Sequence, residues 1–250
     1  CFDRSGLLFD EFAHIFTDIF SKRNQIYKRV VQCLADGYHD HESICKKLKI
    51  EKGGVLSDYL DELVLSGFIR RDYTWHLKDG RISKLSRYRI SDNYLRFYLN
   101  YIAPNKEKIE KGRFEGKSLT SMPGWEGIMG LQFKNLVLNN RNKVIELLQV
   151  NPNDVIYDNP FFQNKTIRQE GCQIDYMIQT RFDTIYVCEV KFSKQPIKIS
   201  VVSEMREKIQ RLKVPRHISR RPVLIHVNGI VESVLDSEYF SHIIDFSQLL

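Results

Sequence analysis

The sequence predicts mixed α and β structure in two parts. The first is three helices followed by a β-hairpin, and the second runs in the order αβββαβ. Two observations carry this. Up to residue 65 apolar residues recur at helical spacing, and the pattern then switches to two β-rich runs around Lys78-Asp79-Gly80. From Trp125 two helical stretches lead into three successive β-like runs. A chain of 250 residues is long enough to give both parts a core of their own.

The first part reads as follows. Residues 1–20, with Leu7, Leu8, Phe12, Ile15, Phe16 and Ile19, have the spacing of an amphipathic helix. Helices are expected at 24–35, ending at Gly37, at 41–48, and at 55–65, stopped by Ser66-Gly67. The stretch from Phe68 to Ser91 follows as the hairpin. Three closely spaced helices and a hairpin are the plan of a winged helix-turn-helix. Its third helix carries Ser57, Asp58, Asp61 and Glu62, a face that repels phosphate. DNA contact is therefore expected through the hairpin, at Arg70, Arg71, Arg81, Lys84 and Arg87, or else the module docks on protein. His39-Asp40-His41 is the only close histidine pair, and Asp40 there reads as a helix N-cap in preference to a metal site. A further helix at 91–103 ends before Pro104, and 105–124 is expected to be a polar linker. Within it Gly112, Gly116, Lys117 and Ser118 imitate a phosphate-binding loop, but the spacing is one residue short and no apolar strand precedes it.

In the second part helices are expected from Trp125 and again across NKVIELLQV. β-runs follow at 160–167, 172–179 and 184–192, a basic helix at 200–212, a strand at 222–227 and a short last strand at 242–246. The domains are thus 1–20, 21–104, a linker at 105–124, and 125–250. Five cysteines without a C-x-x-C argue against a zinc ribbon or disulfide framework and point to a reducing cytoplasm. No stretch approaches the 18 apolar residues of a membrane span, so no membrane partner is expected. Net charge is +7, concentrated in two tracts. Residues 67–90 carry seven Lys/Arg against two acids, and 198–221 eight against two. The second tract places Lys208, Arg211 and Lys213 on or beside the basic helix, a candidate surface for a DNA backbone.

The chemistry concentrates where an apolar strand, TIYVCEVKF, carries Glu189 and Lys191 on one face. If the loop is Arg181-Phe182-Asp183, Thr180 faces Thr184 and Asp175 falls opposite Glu189. Two acids at that spacing repel unless a cation lies between them, and a hard divalent ion (Mg²⁺ or Mn²⁺) suits both the oxygens and a phosphate substrate.

This D-x(13)-E-x-K on a hairpin, behind a helix and before a basic helix, resembles the PD-(D/E)XK, restriction-endonuclease-like nuclease fold over 125–250. The wider order of winged helix, YRISDNYLRFYLNYIAPN, IMGLQF, GCQIDYMIQ, CEVKFS and RPVLIHVNG resembles the C-terminal region of archaeal-type AAA+/STAND P-loop ATPases. The resemblance implies an ATPase domain before Cys1, with 1–20 as its connector, and ATP bound only there. The absence of an initiator Met fits a fragment or processed chain. The resemblance further implies that Asp175 and Glu189 hold the metal, that Lys191 activates water and stabilises charge on phosphate, and that Gln173 supports Asp175. One position departs from the pattern: a Glu is expected just after Phe133, and the chain has Lys134 there, with Glu126 too far along the helix to replace it. Two functions follow. One is a Mg-dependent endonuclease domain acting on DNA. The other is a nuclease fold without catalysis, serving as a DNA- or protein-binding module of the ATPase.

Overall fold

A computed structural model describes Phe2, Gly6, Phe9 and residues 24–51, 53–114 and 118–249. The helix expected over 1–20 lies almost wholly outside these residues, as does the centre of the 112–118 loop. The chain divides into two compact units. The first comprises residues 1–71 and 87–128, and the second residues 72–86 and 129–250. This differs from the expected division at 105–124, because the distal half of the hairpin belongs with the second unit.

The first unit begins with α1 (Asn24–Cys33), α2 (His41–Leu48) and α3 (Gly54–Leu65), followed by the hairpin strands β1 (Ile69–Trp75) and β2 (Ile82–Ile90). Leu34, Ile44, Leu56, Leu60 and Leu63 are buried, the apolar positions whose spacing identifies the three helices. Asp40 Oδ1 accepts from the Ser43 amide at 2.7 Å and caps α2. The flanking imidazoles have separate partners: His39 meets Asp36 and Lys47, and His41 meets Ser57.

The segment after the hairpin corrects the expected linker. α4 (Asn93–Phe97) runs through a π-helical turn, Tyr98–Ile102, and a 3₁₀ turn, Ala103–Asn105, into α5 (Lys106–Glu110). Pro104 does not end the helical path, because it sits at the start of the 3₁₀ turn, where its missing N–H is not needed. Ile109, Phe114 and Met122 are buried, so much of 105–124 is packed structure.

The second unit is built on one five-stranded sheet in the order β3-β4-β5-β6-β7. Its elements are α6 (Trp125–Asn139), α7 (Arg141–Leu147), β3 (Val155–Gln163), β4 (Cys172–Thr180), β5 (Thr184–Lys191), α8 (Ser200–Arg211), β6 (Ser219–His226), α9 (Glu232–Asp236) and β7 (His242–Asp245). The first three strands are antiparallel, and β5-β6-β7 are parallel, joined through α8 and α9. β7 is the short last strand expected at 242–246. Strand β3 begins five residues before the expected 160–167 run.

Both faces of the sheet are covered. Phe133, Val137 and Leu138 of α6 pack with Tyr176, Ile178, Cys188 and Val190 on one face. Val201, Val202 and Met205 of α8 pack with Met177, Ile185, Val187 and Leu224 on the other. This is why TIYVCEVKF has no polar side. Along α6, Leu138 is buried and Leu136 is 39% exposed. Trp75 of the hairpin joins the α8-side core, with its indole donating to Gln179 Oε1 at 2.5 Å.

Candidate functional site

The β4–β5 hairpin pairs Thr180 with Thr184 and continues through Tyr176 opposite Cys188, the register its three-residue loop predicts. Asp175 lies one step beyond the last of these pairs. β4 carries an extra residue here. β3 and β4 pair Asn159 with Met177 and then Phe161 with Ile174, so Asp175 and Tyr176 together oppose Pro160. Proline has no N–H for the ladder, and β3 is an edge strand, the setting in which a bulge forms. Asp175 lies in this bulge and lines a cavity together with Lys134 of α6 and Lys208 and Arg211 of α8. Oδ1 of Asp175 accepts from Lys134 Nζ of α6 at 2.7 Å, and Oδ2 accepts from the Val190 amide at 3.1 Å.

Glu189 lies on the α8 face. Its Oε2 accepts from Lys208 Nζ at 2.5 Å, and Oε1 lies 3.3 Å from Lys191 Nζ. Lys191 donates in turn to Glu204 of α8 at 2.7 Å. The cluster therefore holds three carboxylates (Asp175, Glu189 and Glu204) and three ammonium groups (Lys134, Lys191 and Lys208). Asp175 and Glu189 are 5% and 3% exposed, so their charges are compensated by partners and not by water.

The electrostatics follow this crowding. Burial and the neighbouring Asp175 push the Glu189 carboxyl up, and Lys208 and Lys191 only partly offset them. Burial disfavours the Lys208 ammonium, but Glu189 and Asp175 outweigh it and the net shift is upward. Lys191 shifts upward for the same reason, with Glu204 and Glu189 outweighing its desolvation. The influence of Asp175 on Glu189 and Lys208 shows that the two pairs form one electrostatic unit.

The fit to a divalent cation can be judged from these contacts. All four oxygens of Asp175 and Glu189 already face an N–H or ammonium donor. Among the described residues no group of three or more acids, histidines or cysteines is arranged to hold a metal. A cation would also enter a cluster of zero formal charge. At about 5 Å and an effective dielectric near 20, each unit-charge pairing is worth roughly 3 kcal/mol. The three ammonium groups thus cancel the attraction of the three carboxylates. The residues present do not fit a divalent ion, and Lys134 takes the place next to Asp175 that a metal would need.

Beside the cluster is a cavity of about 230 Å³, lined by Lys134, Gln173, Asp175, Lys208 and Arg211 among others. Gln173 thus shares its cavity with Asp175. Arg211 pairs with Glu207 at 3.0 Å and Lys208 is committed to Glu189, while Lys213 is exposed with no ion-pair partner among the described residues.

The hairpin arginines are partly committed. Arg71 lies over the Tyr88 ring, 5.2 Å from its centroid. Arg81 pairs with Asp79 at 2.7 Å, and Arg87 is half-buried. Arg70 and Lys84 are exposed. Asp72, Thr74, Trp75, Leu77 and Ser86 are buried, so the hairpin's distal half is a packed element and not a projecting wing. Sequence reasoning missed the ion-pair partner Glu204 and the bulge. Pro160 in an edge strand was the available sign of the bulge.

No family model matches the chain. Over 125 residues it is 30% identical to an uncharacterised protein of Methanocaldococcus jannaschii, a match covering 50% of this chain and 27% of that protein. Among solved structures it is similar to a repair endonuclease from Pyrococcus abyssi, with a TM-score of 0.30 and 21% identity over 44% of this chain and 43% of that one. The functional reading therefore rests on the site's own geometry.

Proposed function

We propose that the second unit is a nuclease-like domain that docks on the phosphodiester backbone of DNA without cutting it. The observation that carries this reading is Lys134 Nζ held 2.7 Å from Asp175 Oδ1. It completes a neutral cluster in which neither acid of the D-x(13)-E-x-K pattern is left to bind a metal. Lys191, the lysine of that pattern, is likewise committed to Glu204 and Glu189. Support for DNA comes from cations outside the cluster. Lys198, Lys213, Arg216 and Arg220 are exposed and without carboxylate partners among the described residues. These are the groups that exchange condensed counterions for phosphate. The first unit, by its order of three helices and a hairpin, is read as a winged helix. On the resemblance given above, the chain works beside a P-loop ATPase domain as its DNA-docking or regulatory part.

The test pairs a plasmid-nicking assay in Mg²⁺ or Mn²⁺ with a DNA-binding titration. Retained shape-shifted DNA with no nicking by wild type, Asp175→Ala or Lys191→Ala supports docking without cleavage. Log-affinity should fall with log salt at a slope between about −3 and −4 if some four phosphates are contacted. Nicking by wild type that Asp175→Ala abolishes would restore the metal-dependent endonuclease reading. Absence of any salt-sensitive DNA binding would remove DNA from the account.

A further inference from the structure

The same unit holds a second cavity of about 500 Å³. Its size lies in the range of small-molecule sites. The floor is apolar and buried, made by Trp75, Leu77, Phe161 and Phe162. The floor is also rigid: Trp75 stacks on Tyr157 with centroids 5.4 Å apart, meets Phe161 edge-on at 5.2 Å, and has its indole N–H fixed by Gln179.

The rim is polar, and part of it is uncommitted. Lys78 and Lys213 line the cavity, are exposed, and have no ion-pair partner among the described residues. The Asn164 side-chain amide has no hydrogen-bond partner among them either. Thr74 also lines the cavity, and its hydroxyl oxygen is buried with no partner. That oxygen is shielded from the cavity, so it offers an occupant no hydrogen bond. Here the lysines contrast with those of the carboxylate cluster, all three of which are spent on acids.

The two cavities adjoin through one side chain. Gln163 lines the larger one and donates to the carbonyl of Arg211, at 2.7 Å, while accepting from the Lys213 amide at 2.9 Å. Arg211 lines the smaller cavity, and Lys213 the larger. A backbone following the end of α8 from Arg211 to Lys213 would bring its next nucleotide to the apolar floor.

We propose that this cavity is a nucleobase pocket. It would take the base of a nucleoside phosphate on the Trp75–Phe161 floor, its polar edge against Asn164, and its phosphate on Lys213 and Lys78. A flat heterocycle with an anionic tail matches an apolar floor, neutral polar groups and uncommitted cations on one rim. An acidic peptide would use the lysines but leave the floor unfilled. The inference deepens the backbone-docking reading, since the phosphate at Lys213 would continue the tract at Arg211.

The experiment uses the full chain and fluorescein-labelled 20-mers of single-stranded oligothymidylate, with an abasic oligomer of the same length and charge. Wild type is expected to bind the base-bearing strand about tenfold more tightly. Ser83→Trp, at a half-buried rim position on β2, should fill the cavity and erase the preference while leaving abasic binding unchanged. Lys213→Ala should weaken both oligomers. Thymidine monophosphate that competes at millimolar concentration identifies a free nucleotide as a sufficient ligand. Failure to compete, with the preference intact, assigns the pocket to a strand. Equal binding of both oligomers, or a preference that survives Ser83→Trp, overturns the pocket. If neither oligomer binds, the backbone-docking reading fails, and the pocket falls too unless the monophosphate binds wild type and not Ser83→Trp.

Discussion

At the scale of single residues, Lys134 decides what the site can do. Removing its ammonium leaves Asp175 buried with the Val190 amide as its remaining direct donor. Lys134→Met should destabilise the fold by about 3 kcal/mol in urea unfolding, the usual consequence of stranding one partner of a buried pair. Glu189 makes a second prediction. Its carboxyl is raised by burial and by Asp175, so the folded state favours its protonated form. The stability it contributes is present below the unfolded value near 4.5 and is lost as pH rises through the raised folded value. Wild type should therefore gain stability relative to Glu189→Gln as pH falls from 7 towards 5, measured by urea midpoints at the two pH values. A constant difference would mean that Lys208 and Lys191 fully offset the burial of Glu189.

At the scale of elements, α2 and the hairpin show what local sequence can specify. The cap after α2, Lys49, adopts φ 56° and ψ 43°, left-handed geometry that glycine takes without strain. Lys49→Gly should raise stability by about 0.5–1 kcal/mol in thermal or urea unfolding. In the hairpin, Trp75 is 3% exposed in the second unit's core. Trp75→Ala is expected to cost about 3–5 kcal/mol by the same measurement. The helices 41–48 and 55–65 were legible because caps, stops and apolar spacing act within a few residues. The β4–β5 register was legible because a three-residue loop leaves little choice of pairing. The bulge at Asp175 was not, since it depends on Pro160 being brought alongside by the fold, and VIYDN ahead of Pro160 alternates too weakly to announce a strand. The hairpin misled for a similar reason. Its seven Lys/Arg suggest a projecting basic wing, but Trp75 and Leu77 find their core in residues a hundred positions away.

At the scale of the whole molecule, the charge total says less than its commitments. Lys134, Lys191 and Lys208 neutralise a buried acidic cluster, whereas Lys198, Lys213, Arg216 and Arg220 are exposed without carboxylate partners among the described residues. No described helix is long and apolar enough to cross a membrane. Whether Lys134 occupies a cation's place is decided by calorimetric titration of Mn²⁺ into wild type and Lys134→Glu, with folding of both checked by circular dichroism. Wild type should show no saturable binding at millimolar Mn²⁺, and Lys134→Glu a one-site isotherm, where a third carboxylate joins Asp175 and Glu189. Stoichiometric Mn²⁺ binding by wild type that Asp175→Ala abolishes would contradict this.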